Sequence, residues 1–209
     1  MTIKNNKAYE NLKKMSELLN PDVFKSNLIL TSVFIAYFEN TQDFIIDQPR
    51  NFFSYEYDSE KGFIISDDYK NKVLSLSPKN PLNASLFWFK SLNCIDNNDI
   101  EIYHELRKYR NKLAHELTKI LFDEGFDKEV YDNKLNKLFN LRIKIEKWWF
   151  LNFEYDIIDN EYITQSDLEN VITGGQIIFE LISNILSKDE EKASYFSKAF
   201  ENELNNYKT

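Results

Sequence analysis

Apolar positions along this chain recur mostly at helical spacing, with few of the alternations that mark strands. Leu12, Met15, Leu18 and Leu19 follow a 3.6 period, which predicts a first helix over Asn5–Leu19 that Pro21 ends. Asn20-Pro21-Asp22 then opens a second helix, about Asp22 to Ile46. Its middle is apolar nearly all round, the pattern of a central bundle helix. Gln48–Ser77 breaks the rhythm. Aromatic and β-branched runs, Phe52 to Tyr57 and Phe63-Ile64-Ile65, flank a turn containing Gly62. Two readings stand level: a small β-hairpin or an irregular aromatic loop packed on the bundle.

Helical spacing resumes after Pro78. Asn80-Pro81 reads as an N-cap followed by proline at the first helical position, opening a short apolar helix that ends near Cys94. Asp96 to Asp99 is a polar break able to cap the next helix, Glu101–Phe122. Gly125 stands at a C-cap position after it. A long helix follows over Lys128–Phe153, with Leu135, Leu138, Ile145 and Trp149 on one side, and Asp156–Ile163 reads as a loop. Ser166-Asp167-Leu168-Glu169 fits a capping box for a helix to about Ser187, with Gly174-Gly175 inside it. That glycine pair costs about 2 kcal/mol in helix propensity, which suggests close packing or a kink. A charged helix over 188–207 closes the chain. The expected fold is all-α: a bundle of about six helices with a hairpin or irregular insertion near 50–66. It forms a single domain over 1–209, its core at about 22–187 and terminal helices 5–19 and 188–207 packed on it.

Composition agrees with this. Four glycines and four prolines are few for 209 residues, and sheet-rich folds use many of both in turns. The net charge of −8 argues against non-specific nucleic-acid binding over the whole surface, while leaving room for a local basic patch. The richest apolar run, Leu28–Phe38, is about half the ~20 residues needed to span a bilayer. A single cysteine, Cys94, forbids an intrachain disulfide, and no metal-ligand cluster is visible. With no signal-peptide run in Met1–Asn20, a cytoplasmic protein without metal or cofactor is expected.

Charge chemistry concentrates in one helix. Of 26 basic residues only four are arginine, and Arg107 and Arg110 both lie in Glu101–Phe122. So do both histidines, His104 and His115. Arginine grips phosphate or carboxylate with a rigid fork, and histidine moves protons near neutral pH. At about 100° per residue, Ile102, Leu106, Tyr109, Leu113, Leu117 and Ile120 form one apolar stripe. His104, Lys108, Asn111 and His115 lie opposite, and the two arginines occupy a flank between. Arg110 and His115 are about 140° apart, so they converge on one ligand only through arginine's length or a distortion of the helix. The two histidines are about 16 Å apart along the axis. Acid–base chemistry with two histidines therefore needs a second chain across a twofold axis.

Arg110-Asn111-Lys112-Leu113-Ala114-His115 resembles the R-N-x-x-x-H signature of the HEPN superfamily. These are small all-helical proteins, many of them metal-independent ribonucleases of toxin–antitoxin, abortive-infection and other defence systems. The signature spans six residues late in a helix. The resemblance implies a homodimer across the 101–122 helix that cleaves RNA through its own 2′-hydroxyl, leaving 2′,3′-cyclic phosphate and 5′-OH ends. His115 would be the acid–base group and Arg110 the stabiliser of the phosphorane. Asn111 would orient the imidazole or bind phosphate, while Arg107, Lys108 and Lys112 would hold RNA phosphates. It also implies an antitoxin or defence-system partner. One toxin branch carries a tyrosine two residues after the histidine; Leu117 stands there in this chain, which does not fit that branch. The rival expectation is a HEPN-like protein that binds RNA, a nucleotide or a partner without cutting, its arginines paired with Glu101, Glu105 or Glu116.

Overall fold

A computed structural model describes residues 20–54, 57–60, 62–154 and 171–186, together with Tyr9, Met15 and Ser16. The expected loop at 156–163, the Ser166 cap, the helix over 188–207 and most of the helix over 5–19 lie outside these residues. The fold is all-α. Chain contacts divide it into two compact units, Met1–Leu138 and Phe139–Thr209.

Helix α1 (Pro21–Phe52) is the spine of the first unit. The Asn20 side chain accepts the Asp22 and Val23 N–H groups at 2.9 and 3.4 Å, and Pro21 follows as the first helical residue. Phe34, Phe38 and Ile45 are fully or almost fully buried, as a central helix requires. Its polar Thr41 is buried too, and its hydroxyl donates to the Tyr37 carbonyl one turn back. The helix runs past its expected end at Ile46. Pro49 sits in the last turn, where its missing N–H costs one bond near an end that frays anyway, and the helix closes as Phe53 N–H reaches the Pro49 carbonyl.

The insertion is a hairpin. Strands β1 (Tyr57–Asp58) and β2 (Gly62–Phe63) pair antiparallel, Tyr57 opposite Phe63. The Asp58 carboxylate takes the Glu60 N–H at 2.9 Å and so shapes the turn. A short helix that the apolar pattern hides, α2 (Asp67–Lys72), follows. Ser66 caps it by accepting the Tyr69 N–H, and Asp67 and Asp68 fill its first turn. A 3₁₀ turn, Leu74–Leu76, leads on.

Helix α3 (Pro81–Ser91) starts where expected, with the Asn80 side chain taking the Asn83 N–H at 3.1 Å. It ends in a Schellman arrangement. Asn93 sits at φ 57, its N–H reaching the Lys90 carbonyl, and Cys94 N–H reaches Phe89. Helix α4 (Asn97–His115) is capped by Asp96 and Asp99, each carboxylate accepting the other's backbone N–H at 2.9 Å. Both α3 and α4 pack on α1. A π-helical turn, Ile120–Glu124, ends at Gly125, whose φ of 89 suits glycine. Helix α5 (Lys128–Trp149) begins with the Asp127 carboxylate accepting the Val130 N–H, and the unit boundary falls within it.

In the second unit a π-helical turn, Phe150–Glu154, follows α5, and α6 (Gly174–Leu186) comes later. The glycine pair therefore starts a helix and does not interrupt one. Thr173 and Gln176 form its capping box: the Thr173 hydroxyl accepts the Gln176 N–H, and the Gln176 side chain accepts the Thr173 N–H. Behind that start lies a buried charge. Glu146 takes a bond from Arg142 one turn away on α5 and another from Gly175 N–H at 3.0 Å. No helix among the described residues is long and apolar enough to cross a membrane.

Candidate functional site

Helix α4 stops at His115. Glu116 leaves helical geometry at φ −118, ψ 19, and a single turn, Leu117–Lys119, leads into the π-helical segment. The expected continuous helix to Phe122 is thus broken immediately after the histidine. His115 occupies the last helical position, exposed, and it bonds to no described residue.

The inward face of α4 also differs from the expected stripe. Leu106, Leu113 and Ile120 are buried, but Ile102 and Tyr109 are only half-buried. Tyr103, absent from the stripe, is wholly buried, and Ile100 nearly so. Tyr103 lies on the same flank as the arginines, so the inward face is turned toward them. A tyrosine reaches that position by burying its ring and donating its hydroxyl to Gln42 of α1 at 3.1 Å. Burial, above all, raises the Tyr103 phenol pKa. Arg107 and Arg110 pull it back down, while Glu39 and Asp43 of α1 push it up.

This rotation decides where Arg110 goes. Its Nη2 forms an ion pair with Glu39 of α1. Its Nη1 donates to Asn111 Oδ1 at 3.2 Å, and its Nε is buried with no partner among the described residues. Asn111 is therefore engaged with the arginine. Two of the three carboxylates expected as alternative partners are otherwise placed. Glu105 binds Lys134 and Lys137, which lower its pKa, and Glu116 lies 3.9 Å from Lys119. Glu39 lies far from Arg110 in the chain, and only the packing of α1 on α4 reveals it.

The other basic residues divide. Arg107 and Lys108 are exposed and pair with no described carboxylate. Lys112 turns the other way and binds Glu124 at 2.8 Å, while Lys119 binds the second oxygen at 2.7 Å. Hydrogen bonds from these two lysines hold the Glu124 carboxyl down to about 2. His104 is half-buried, edge-on to Tyr103. The sequence residues thus form a group, Arg110 with Asn111, beside an exposed face of Arg107, Lys108 and His115. Lys112 belongs to a different neighbourhood, a hollow of about 320 Å³ bounded by α4 and the residues leading into α5. No three or more His, Cys, Asp or Glu side chains among the described residues are placed to hold a metal ion.

Comparison with protein families, curated proteins and solved structures finds no match to this chain.

Proposed function

We propose that this chain is a metal-independent endoribonuclease of HEPN type, acting as a homodimer in a toxin or anti-phage defence role. The observation that carries the reading is His115: exposed, free of described partners and standing at a helix break, five residues after an arginine that its own neighbour Asn111 holds. In this scheme one His115 takes the proton of the RNA 2′-hydroxyl. The 2′-oxygen attacks phosphorus, the bond to the 5′-oxygen breaks, and the His115 of a second copy protonates that oxygen. Such help is worth about 10²–10⁴-fold. Arg110 would meet the phosphorane charge. Of a guanidinium's five N–H donors, two are engaged with Glu39 and Asn111 and the Nε donor is buried, so two remain for a phosphate. Arg107 and Lys108 would hold neighbouring phosphates.

RNA cleavage by Arg110→Ala and His115→Ala, with EDTA present, tests this. Both variants should lose cleavage, by ~10²-fold or more for the histidine, and wild-type products should end in 2′,3′-cyclic phosphate. Cleavage surviving in both variants would overturn the assignment.

One observation favours a second reading. Glu39 already offsets the Arg110 charge, and Glu124 the Lys112 charge. A protein that binds RNA or a nucleotide without cutting would need no more than Arg107 and Lys108 free. Tight binding of RNA that stays intact with wild-type protein would select it.

A further inference from the structure

We propose that the hollow beside the second half of α4 is a nucleobase subsite, selecting bases that carry an exocyclic amine over uracil. The proposal rests on the reading of α4 as an RNA-facing helix. It concerns a different set of atoms from Arg110, Asn111 and His115.

At about 320 Å³ the hollow lies near the lower end of small-ligand sites, suited to one base and not to a whole dinucleotide. Tyr109 and Phe126, with apolar side chains such as Leu113, wall one part of it, and Lys112, Glu124 and Asp127 line the rest. Bases bind such walls because each has a π-face. The Tyr109 ring is fixed edge-on by Phe34, centroids 5.0 Å apart. Gly125 enters the bend at positive φ and adds no side chain to the space.

The polar groups have spare capacity of matching kinds. The Asp127 carboxylate uses Oδ1 on the Val130 N–H at 3.0 Å, and Oδ2 bonds no described residue. The Tyr109 hydroxyl likewise bonds no described residue. Burial, with Asp127 and Asp132 nearby, pushes it up to about 12, so it stays a donor at neutral pH. Behind the Phe126 wall, ring centroids 5.4 Å away, the wholly buried Tyr131 has a hydroxyl with no partner among the described residues. Tyr131 does not line the hollow, and its hydroxyl takes no part in the site.

A carboxylate acceptor suits the amino group of cytosine or adenine, or the N1 and N2 hydrogens of guanine. Uracil has no exocyclic amine, and its one edge donor, N3–H, stands between two carbonyl acceptors that a carboxylate repels, so it binds less well. The position fits a role in RNA handling. Lys112 lines the hollow, and His115 follows it by three residues on the same helix, with Cβ atoms about 5–6 Å apart. Lys112 is paired with Glu124, which also lines the hollow, so the base contacts and not a phosphate contact carry the selectivity.

The test is calorimetric titration with the four ribonucleoside 3′-monophosphates at low salt. Cytidine, adenosine and guanosine nucleotides should bind at least ~10-fold tighter than the uridine nucleotide, the discrimination expected from a good base contact. Asp127→Asn keeps the helix cap but presents an amide N–H to the base, so the preference should fall or reverse toward uridine. Tyr109→Phe should weaken all four without changing the melting temperature at neutral pH by more than a few degrees. Equal binding of the four nucleotides, no binding, or a preference unchanged in Asp127→Asn would overturn the subsite. His115→Ala separates this from the ribonuclease reading. Base-selective binding by a wild-type protein that cleaves no RNA sinks the enzyme alone. Cleavage without base preference in the titration sinks the subsite alone.

Discussion

The two adjacent glycines at the start of α6 should respond oppositely to the same substitution. A Cβ on Gly174 meets nothing within 4 Å. One on Gly175 would stand 2.5 Å from Glu146 Oε2 and 2.9 Å from Oε1, closer than real atoms approach. A carboxylate at the end of an exposed side chain would swing away at little cost. This one is 8% exposed and held twice, by Arg142 and by the Gly175 N–H. Moving it weakens a hydrogen bond to a charged group, worth about 1.5–3 kcal/mol. If the shift also breaks contact with Arg142, the cost approaches the ~3–5 kcal/mol of a broken buried pair. Alanine returns at most about 1 kcal/mol of helix propensity. Gly175→Ala should therefore lose about 2–3 kcal/mol, while Gly174→Ala should be neutral or gain up to ~1 kcal/mol. For a chain of this size the loss is a fall of roughly 4–12 °C in melting temperature. Denaturant unfolding of both variants measures the difference. Glu146→Asp withdraws the carboxylate, so in combination with Gly175→Ala the two effects should sum to less than their separate costs. Equal stability of the two alanine variants would refute the account of Glu146 as a fixed, sealed charge.

Two further predictions address the α1–α4 contact. Arg110→Ala removes the charge that Glu39 opposes; if that arginine meets RNA phosphate, the slope of log affinity against log salt should become shallower by about 0.7, the decrement for one lost single-strand phosphate contact. An unchanged slope in filter binding would mean that Arg110 serves packing only. Burial raises the phenol pKa values of Tyr103, Tyr109 and Tyr131 above 10. Their contribution is fully present below pH 10, where folded and unfolded phenols are both protonated. It is lost as pH rises from 10 toward the folded pKa, at about 1.4 kcal/mol per pH unit for each. Urea midpoints should fall faster between pH 10 and 12 in the wild type than in Tyr103→Phe, and parallel curves would contradict the burial.

Legibility in the sequence followed locality. Asn80-Pro81 and Asp96 to Asp99 announce helix starts through bonds made within four residues, and both were readable. Thr173-Gly174-Gly175-Gln176 carries the same information. Ser166 to Glu169 offered a competing box just upstream, and the glycines looked like helix interior. Ser66-Asp67-Asp68 was masked in the same way by the apolar residues before it. Pro49 shows the converse: a residue that breaks helices in general is tolerated in a last turn. The inward face of α4 takes in Tyr103 and Ile100, neither in the expected stripe, and Tyr103 escapes the pattern because a tyrosine at a polar flank reads as exposed until a partner for its hydroxyl is known. That partner, Gln42, and the Arg110 partner, Glu39, come from α1, and no periodicity within α4 could name them.

The Glu39 contact also bears on why position 110 holds an arginine in a chain that otherwise favours lysine. A lysine could satisfy Glu39, or Asn111, or a phosphate, from a single nitrogen. The guanidinium spreads its donors over a planar fork, so Nη2 and Nη1 can stay bound to Glu39 and Asn111 and each keep a second N–H, while Nε is buried. The Arg110 and Glu39 side chains are 26% and 38% exposed, and at such exposure an ion pair contributes no more than about 1 kcal/mol. It is enough to hold an orientation and too little to keep out a phosphate. The same pair that argues for a packing role is therefore compatible with a catalytic one, and what separates the two is whether Arg110's remaining N–H groups meet phosphate. The break at Glu116 ends the helix at His115 and leaves that side chain exposed, while Arg110 and His115 both lie within Asn97–His115, so the angle of about 140° between them is unchanged.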